Sequence, residues 1–308
     1  MEERYLREIE SGFPYPIISS FIRLRTDEYL DPGPQRLRCI LATAEAICRF
    51  LGLVVLCECR DFCEASGNTP TPIFHEFRRH FERPTWGTWA TYLREGLKYL
   101  HDHRVTITIS ELYGFYFGSL SVKSDPATAL RKLQDIRNGL AHDKINCVTT
   151  SDYKNLCRDS YPLLEEVLEG SRFLLNYELI FVRQIEVNKK RREEPIFLHR
   201  ISQITGKANP FSGGRKSLEF YMDSQAVILT DQAHRRCMNL TPLLIYADEA
   251  VKAPDIFFYN GLDDHHVPAY FACYHNDKID RPDNELMGEL QNIIGLFTTK
   301  TRRGKTDD

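Results

Sequence analysis

QRLRCILATAEAICRFLGLVVLCECRDFCEA, from Gln35 to Ala65, contains the most apolar window of the chain, Cys39 to Cys63. This window is long enough to raise the question of a membrane span. Charged residues interrupt it, among them Glu45, Arg49, Glu58 and Arg60. Because even one charge at bilayer depth costs at least about 2.5 kcal/mol, the stretch predicts a central buried helix and no membrane association.

Turns and capping residues divide the first 185 residues into further helices. Breaks rich in proline and glycine lie at Gly12–Pro16, Asp31–Pro34, Ser66–Pro72 and Pro84–Thr88. A helix N-terminus is indicated by Ser124-Asp125-Pro126, because a capping side chain precedes proline at the first helical position. The apolar spacing predicts major helices over residues 35–65, 88–101, 127–142 and 151–181, and therefore an all-α bundle of four or five major helices.

The pattern changes after about Val187. The charged segment Asn188–Pro195 marks a boundary, and short β-like runs follow at residues 195–201, 217–222, 225–229, 240–246, 255–259 and 269–274. Gly213-Gly214 and Asn260-Gly261 are predicted as turns. The sequence thus predicts an α+β fold: a helical bundle over residues 1–185, a small antiparallel β domain over 186–280, and over 281–308 a C-terminal helix (284–297) with a disordered tail.

Composition and charge are those of an intracellular globular protein. The formal net charge of -3 gives no global nucleic-acid signature, so any RNA binding would come from a local patch. Charged residues near Met1 replace the apolar core of a secretory signal, which predicts a cytoplasmic location. The nine cysteines are then reduced thiols. Cys57, Cys59 and Cys63 lack a second ligand pair at zinc-like spacing, so buried packing is expected for them.

The segment RNGLAH, Arg137 to His142, is the strongest functional candidate. On a helical wheel, Asn138 and His142 are neighbours on a polar face shared with Arg131 and Asp135. Arg137 lies about 140° round the helix from His142. The two side chains therefore converge on one phosphate only through the reach of the arginine, a helix loosened at Gly139, or a second copy of the site from another chain.

The string Arg137-Asn138-x-x-x-His142, near the end of a helical bundle, resembles the signature of the HEPN superfamily. The resemblance covers roughly residues 1–185 and implies a metal-independent RNA endonuclease. It further implies a homodimer with two motifs facing each other, and a role in toxin–antitoxin or antiviral defence systems with an antitoxin or defence-complex partner. It implies no cofactor and no metal. Lys144 stands where some HEPN toxins have a tyrosine that is inactivated by nucleotidylation, so that regulation is not expected.

The residue types suit RNA cleavage, because RNA supplies its own nucleophile in the 2′-OH. Histidine exchanges protons near neutral pH, so His142 is the expected acid or base. Arg137 can direct two donors at the charged phosphate, and Asn138 can orient the imidazole. We expect 2′,3′-cyclic phosphate products. Further weak candidates for substrate binding are Arg131, Asp135, Lys144, Lys189 and Lys190.

Other interpretations of these residues stay open. Arg, Asn and His near a helix C-terminus can simply satisfy carbonyls and complement the helix dipole. Some HEPN domains only bind, which makes a non-catalytic scaffold subunit the rival function, and a ligand sensor acting through the β domain is a third. Lys189 and Lys190 can also belong to a solvated linker. Core packing is expected for Trp86 and Trp89, and a hairpin turn rather than a metal site for His265 and His266.

Overall fold

The computed structural model describes residues 3–67, 77–118, 125–142, 144, 145, 147, 149–207, 212–247, 254–273, 278, 279 and 284–297. The chain forms a helical N-terminal part followed by two antiparallel sheets and a last helix, which confirms the α+β class. The helices are α1 Glu3–Gly12, α2 Tyr15–Phe21, α3 Pro34–Ser66, α4 Phe77–Glu82, α5 Trp86–Asp102, α6 Leu112–Phe117, α7 Asp125–Ala141, α8 Thr150–Gly170 and α9 Asn284–Phe297. The predicted Ser124 cap and the polar tail after residue 297 lie outside the described residues.

Helix α3 is the central element of the bundle, as its sequence predicts. It packs against α2, α5, α7 and α8, and it ends at Gly67, whose left-handed φ of 66° closes the last turn. By length and composition α3 could cross a membrane, yet 78% of its most apolar window is buried inside the protein. That burial agrees with the core helix of a soluble protein.

In the described part of the chain, nine strands form two antiparallel sheets. They are β1 Tyr177–Asn188, β2 Ile196–Gln203, β3 Gly213–Leu218, β4 Val227–Asp231, β5 Cys237–Asn239, β6 Leu244–Ala247, β7 Asp255–Leu262, β8 Pro268–Ala272 and β9 Lys278–Ile279. The first sheet has the order β3-β2-β1-β4-β5 and the second the order β6-β7-β8-β9. Within the described part of the chain, every strand pairing is antiparallel.

The predicted division near residue 185 does not coincide with the end of the helices. Helix α8 ends at Gly170, a short 3-10 segment covers Arg172–Asn176, and β1 begins at Tyr177. Residue 185 therefore lies inside β1. The helix predicted over residues 151–181 is therefore too long, because the apolar run before residue 182 suits a buried strand as well as a helix. The charged segment after Asn188, predicted as a domain boundary, is the turn that joins β1 to β2.

Two predicted turns are also strand segments. Gly213-Gly214 begins β3, where it pairs with Ser202 and Ile201 of β2. Asn260-Gly261 lies in β7 at an irregularity in the pairing with β8, and Gly261 has a φ of 108°. A Cβ on Gly261 would lie 2.4 Å from the carbonyl oxygen of Glu82. Glycine is therefore required there for close approach of the strand to the end of α4.

One hydrophobic core joins the helices to both sheets. It includes Leu53 of α3, Leu179 of β1, Phe257 of β7 and Ile293 of α9. Arg60 of α3 reinforces the junction, because its guanidinium donates to the carbonyl oxygens of Asn239 at 2.7 Å and Thr241 at 3.0 Å. The opposite face of the first sheet has a small core of its own, formed by Ile180, Val182, Ile201, Met222, Ala226 and Ile228.

Candidate functional site

Helix α7 presents the Arg137–His142 motif at its C-terminal end. The helix packs against α3, α6 and α8. Its apolar face is anchored in the core by Leu130, Leu133, Ile136 and Leu140. The opposite polar stripe lies at the surface and consists of Arg131, Asp135, Asn138 and His142. Both faces of the predicted wheel are confirmed.

A backbone reversal at Gly139 closes the end of α7. The carbonyl oxygen of Gly139 accepts hydrogen bonds from the backbone N–H groups of Lys144 at 2.8 Å and Ile145 at 3.1 Å, a pattern that commonly ends helices. A Cβ on Gly139 would lie 2.6 Å from Cδ1 of Ile145, so a larger residue would displace that side chain. The helix stays regular to Ala141, and Gly139 therefore shapes the turn rather than loosening the helix.

The motif side chains are not joined into one site within a single chain. The Nη1 atom of Arg137 donates a long hydrogen bond to Oδ1 of Asn138 at 3.4 Å. His142 is exposed, and its backbone N–H donates to the carbonyl oxygen of Asn138 at 3.1 Å. Among the described residues, the imidazole has no hydrogen bond or ion pair, and neither Arg137 nor His142 caps a helix carbonyl through its side chain. Their functional groups are therefore available for a ligand.

Arg131 and Asp135 border a cavity one to two turns before the motif. Their side chains form an exposed ion pair with a 4.0 Å separation, which contributes at most about 1 kcal/mol. The cavity measures about 360 Å³ and lies between α3, α5, α6 and α7. Arg94, Tyr116 and Gln134 also line it. A polar hollow therefore continues the stripe that ends at His142.

The three predicted lysines lie in two different parts of the fold. Lys144 is exposed just after α7. Lys189 and Lys190 belong to the β1–β2 turn, where Lys189 Nζ donates to the carbonyl oxygen of Glu193 at 2.7 Å and Lys190 Nζ lies 3.5 Å from Glu193 Oε2. These contacts stay within the turn, so they place Lys189 and Lys190 on the first sheet rather than at the end of α7.

The remaining sequence candidates have structural roles. Trp86 and Trp89 are buried in the core and cannot stack bases. His265 and His266 lie in a turn closed by the Asp263 carboxylate, whose pKa is lowered mainly by the N–H of Val267 and also by that of His265. The residues that the structure describes contain no cluster of three metal-ligating side chains; His275 lies outside them.

The three clustered cysteines of α3 are core residues, as expected. Cys57, Cys59 and Cys63 are buried. Burial raises the pKa of the Cys57 thiol to about 12 and that of Cys59 well above its usual value. These thiols are therefore unreactive at neutral pH.

One buried polar network was not predicted from the sequence. Lys216 of β3 lies 3.0 Å from Glu178 of β1 and hydrogen-bonds Nε2 of His234, whose Nδ1 lies 3.4 Å from Thr230 Oγ1. Burial, and then the charge of Lys216, lower the pKa of His234. The neutral imidazole is held on both nitrogens, so the network is structural. Its members come from three segments of the chain, around Glu178, Lys216 and Thr230–His234, so no sequence spacing could reveal the whole network.

Comparison with known proteins finds no match: no protein-family model, no curated protein and no solved structure matches this chain.

Proposed function

We propose that the chain is a metal-independent endoribonuclease of the HEPN type, active as a cytoplasmic homodimer. One observation carries the proposal: Arg137 and His142 lie at the surface-exposed end of a well-packed helix, and their side chains take no structural part among the described residues beyond the long bond to Asn138. A cation and an imidazole that are free in this way are the minimum set of groups needed to cleave a phosphodiester that carries its own nucleophile.

The proposed reaction begins with attack of the RNA 2′-OH on the neighbouring phosphorus. His142 accepts the proton of the 2′-OH or donates one to the 5′ leaving oxygen, and Arg137 stabilises the charge that develops on the phosphoryl oxygens. Asn138, one turn before His142, orients the imidazole. The products are a 2′,3′-cyclic phosphate and a free 5′-OH. DNA lacks the 2′-OH and is not cleaved.

A second copy of the chain completes the proposed site. The helix is regular through Ala141, so Arg137 and His142 of one chain diverge by about 140°. Two α7 ends that face each other bring the arginine of one chain to the histidine of its partner. The stripe through Asp135 and Arg131, with the cavity beside it, then lies where flanking nucleotides pass.

The biological setting follows as part of the same proposal. An RNA endonuclease of this kind acts as a toxin or as an antiviral-defence effector, restrained by an antitoxin or a defence-complex partner. The two sheets are the proposed regulatory part. This regulatory role is supported by the contact of Arg60 in α3 with the carbonyl groups of Asn239 and Thr241. Because α3 also packs against α7, it connects the sheets to the helix that carries the motif.

Cleavage of a labelled RNA by the purified protein in the presence of a chelator tests the proposal. We expect activity to persist in EDTA and the products to carry cyclic phosphate ends. His142→Ala should lower the rate by at least about 100-fold, because proton transfer is lost. Arg137→Ala should lower it by about 100- to 1,000-fold, because the developing charge loses its stabilisation.

Two matched variants serve as controls. His265→Ala removes another exposed imidazole, and Arg158→Ala removes an exposed guanidinium that pairs with Asp159; both should cleave at the wild-type rate. Loss of activity in EDTA would contradict the metal-free reaction. If the protein instead binds RNA or a partner without cleaving RNA, and neither Arg137→Ala nor His142→Ala changes that binding, the protein is the non-catalytic scaffold.

A further inference from the structure

Exposed apolar side chains concentrate at one end of the first sheet. Among the described residues, six large hydrophobic side chains are exposed, and four of them lie there: Val187 at 62%, Ile196 at 42%, Phe220 at 41% and Tyr221 at 67%. Monomeric proteins rarely leave such side chains grouped at the surface without a partner. The grouping of these exposed side chains therefore indicates a binding surface.

The aromatic part of this surface is held in place. The rings of Phe197 and Tyr221 meet edge to face with their centroids 5.7 Å apart, and Val187 pairs with Phe197 across the hairpin. The segment that carries Tyr221 is fixed by its neighbour Met222, which is buried and donates its N–H to Nε2 of His199 at 3.0 Å. Tyr221 is therefore an exposed ring on a supported backbone, the form that base stacking requires.

Positive charge lies directly beside the rings. The β1–β2 turn carries four exposed consecutive cations, Lys189 to Arg192, followed by Glu193 and Glu194, which leaves a net charge of +2. Lys189 and Lys190 contact Glu193. Arg191 and Arg192 have no ion pair among the described residues, so their guanidinium groups are available for phosphate.

We propose that this hairpin surface, made of Val187, Lys189–Arg192, Phe197, Phe220 and Tyr221, binds single-stranded RNA. The arginines contact the phosphates and Tyr221 stacks on a base. The choice of RNA rests on the proposed nuclease function, whereas the existence of the surface rests on the contacts above. It gives the enzyme a second attachment to its substrate, on the sheets rather than on the helical bundle.

The geometry favours nucleic acid over a lipid bilayer. The charged turn extends beyond the last strand pair, Asn188 with Ile196, so the exposed apolar side chains lie behind it. To insert them, the hairpin would carry the turn into the hydrocarbon first, at a cost of at least about 2.5 kcal/mol for each charge. A nucleic acid, in contrast, can contact the exposed cations with its phosphates and the exposed ring with a base while the turn stays in water.

Binding of an uncleavable probe tests the inference separately from catalysis. The probe is a fluorescent 2′-O-methyl RNA of about 12 nucleotides, which lacks the nucleophile, and the readout is anisotropy of the full-length protein. Tyr221→Ala should weaken binding about tenfold through the lost stacking. Arg191→Ala/Arg192→Ala should lower the slope of log Kd against log salt by about 1.4, since each single-strand phosphate contact contributes about 0.7.

Controls come from exposed positions elsewhere. Leu30→Ala removes a comparably exposed apolar side chain, and Lys98→Ala/Arg158→Ala removes two surface cations; both should bind like wild type. A wild-type protein that binds through this surface but cleaves nothing would refute the nuclease and leave the surface standing.

Three results would overturn the inference. The first is the absence of probe binding by the wild-type protein, and the second is equal binding by the surface variants and their controls. The third is binding to phosphatidylserine vesicles that the surface variants lose while RNA binding stays unchanged, which would make the surface a membrane contact.

Discussion

At the scale of single residues, His199 shows how a buried imidazole can be fixed in its neutral form. Its Nδ1 lies 3.2 Å from the carbonyl oxygen of Phe197 and donates to it, and its Nε2 accepts the N–H of Met222 at 3.0 Å. Only the neutral tautomer with hydrogen on Nδ1 makes both bonds. The same residue thereby supports the backbone next to Tyr221 and connects the small core of the sheet to the proposed RNA surface.

The neutral form makes folding pH-dependent in a defined direction. Burial lowers the pKa of His199 below its ordinary 6.5, partly offset by the carbonyl bond. The unfolded chain therefore binds more protons than the folded one, and the stabilisation is complete above pH 6.5 and declines as the pH falls below it. We expect the free energy of unfolding of the wild type to fall more between about pH 7.5 and about pH 5.5 than that of His199→Gln.

Urea denaturation at both pH values measures this difference. The comparison between two proteins is needed because the pKa of His234 is lowered in the same direction. That contribution is common to both proteins and cancels. Parallel stability curves for wild type and variant would show that His199 does not titrate differently on folding.

At the scale of elements, prediction succeeded where one local signal was unambiguous. The long apolar run with its interrupting charges predicts a buried helix over residues 35–65, and α3 covers Pro34–Ser66. The helix predicted over residues 284–297 is present as α9 Asn284–Phe297. The turn predicted at His265 and His266 is also present, and it is held locally by the Asp263 carboxylate, which accepts N–H groups of the same turn.

Prediction failed where tertiary packing decides between equally good local structures. The apolar run from Leu174 to Phe181 was assigned to a helix and instead forms a 3-10 segment followed by β1, which is buried between β2 and β4. The candidate site divides in the same way. The helical periodicity of the sequence predicts the motif at the end of α7. Tyr221 and the β1–β2 turn, in contrast, lie about thirty residues apart in the sequence, and no local pattern indicates that they are neighbours in the fold.

The contact of α3 with α5 depends on two glycines. A Cβ on Gly52 would lie 2.6 Å from the carbonyl oxygen of Trp89, and one on Gly96 would lie 2.5 Å from a methyl group of Val55. The Trp89 oxygen is backbone and cannot rotate away. The two helices therefore approach this closely only because neither carries a side chain at the crossing.

Replacing Gly52 by alanine distinguishes the effect of helix packing on stability from the effect of helix propensity. In a solvent-facing helix, Gly→Ala stabilises by about 0.5 to 1 kcal/mol. For Gly52→Ala we expect the reverse sign, a loss of about 2 kcal/mol, because the methyl group forces α3 and α5 apart. Gly288→Ala in α9 is the matched control, since nothing lies within 4 Å of its added Cβ, and it should stabilise. Chemical denaturation measures both, and a stabilising Gly52→Ala would refute the tight crossing.

At the scale of the whole molecule, the proposed nuclease depends on assembly. The helices and both sheets share one core within a single chain, yet Arg137 and His142 point away from each other on a regular helix. Folding and catalysis are therefore expected to have different requirements. One chain suffices for the first, and two facing α7 ends are needed for the second.

Mixing inactive variants tests this requirement directly. If each site takes its arginine from one chain and its histidine from the other, an Arg137→Ala chain paired with a His142→Ala chain contains one intact site and one doubly defective site. Equal mixing makes half of the dimers mixed, so activity should return to about a quarter of the wild-type level, while each variant alone stays inactive. The RNA cleavage rate is measured after co-refolding, and a mixture of His142→Ala with the double variant Arg137→Ala/His142→Ala is the control that cannot recover. Failure of the first mixture to recover, with mixed dimers present, would mean that arginine and histidine act from the same chain or that both motifs must be intact at once.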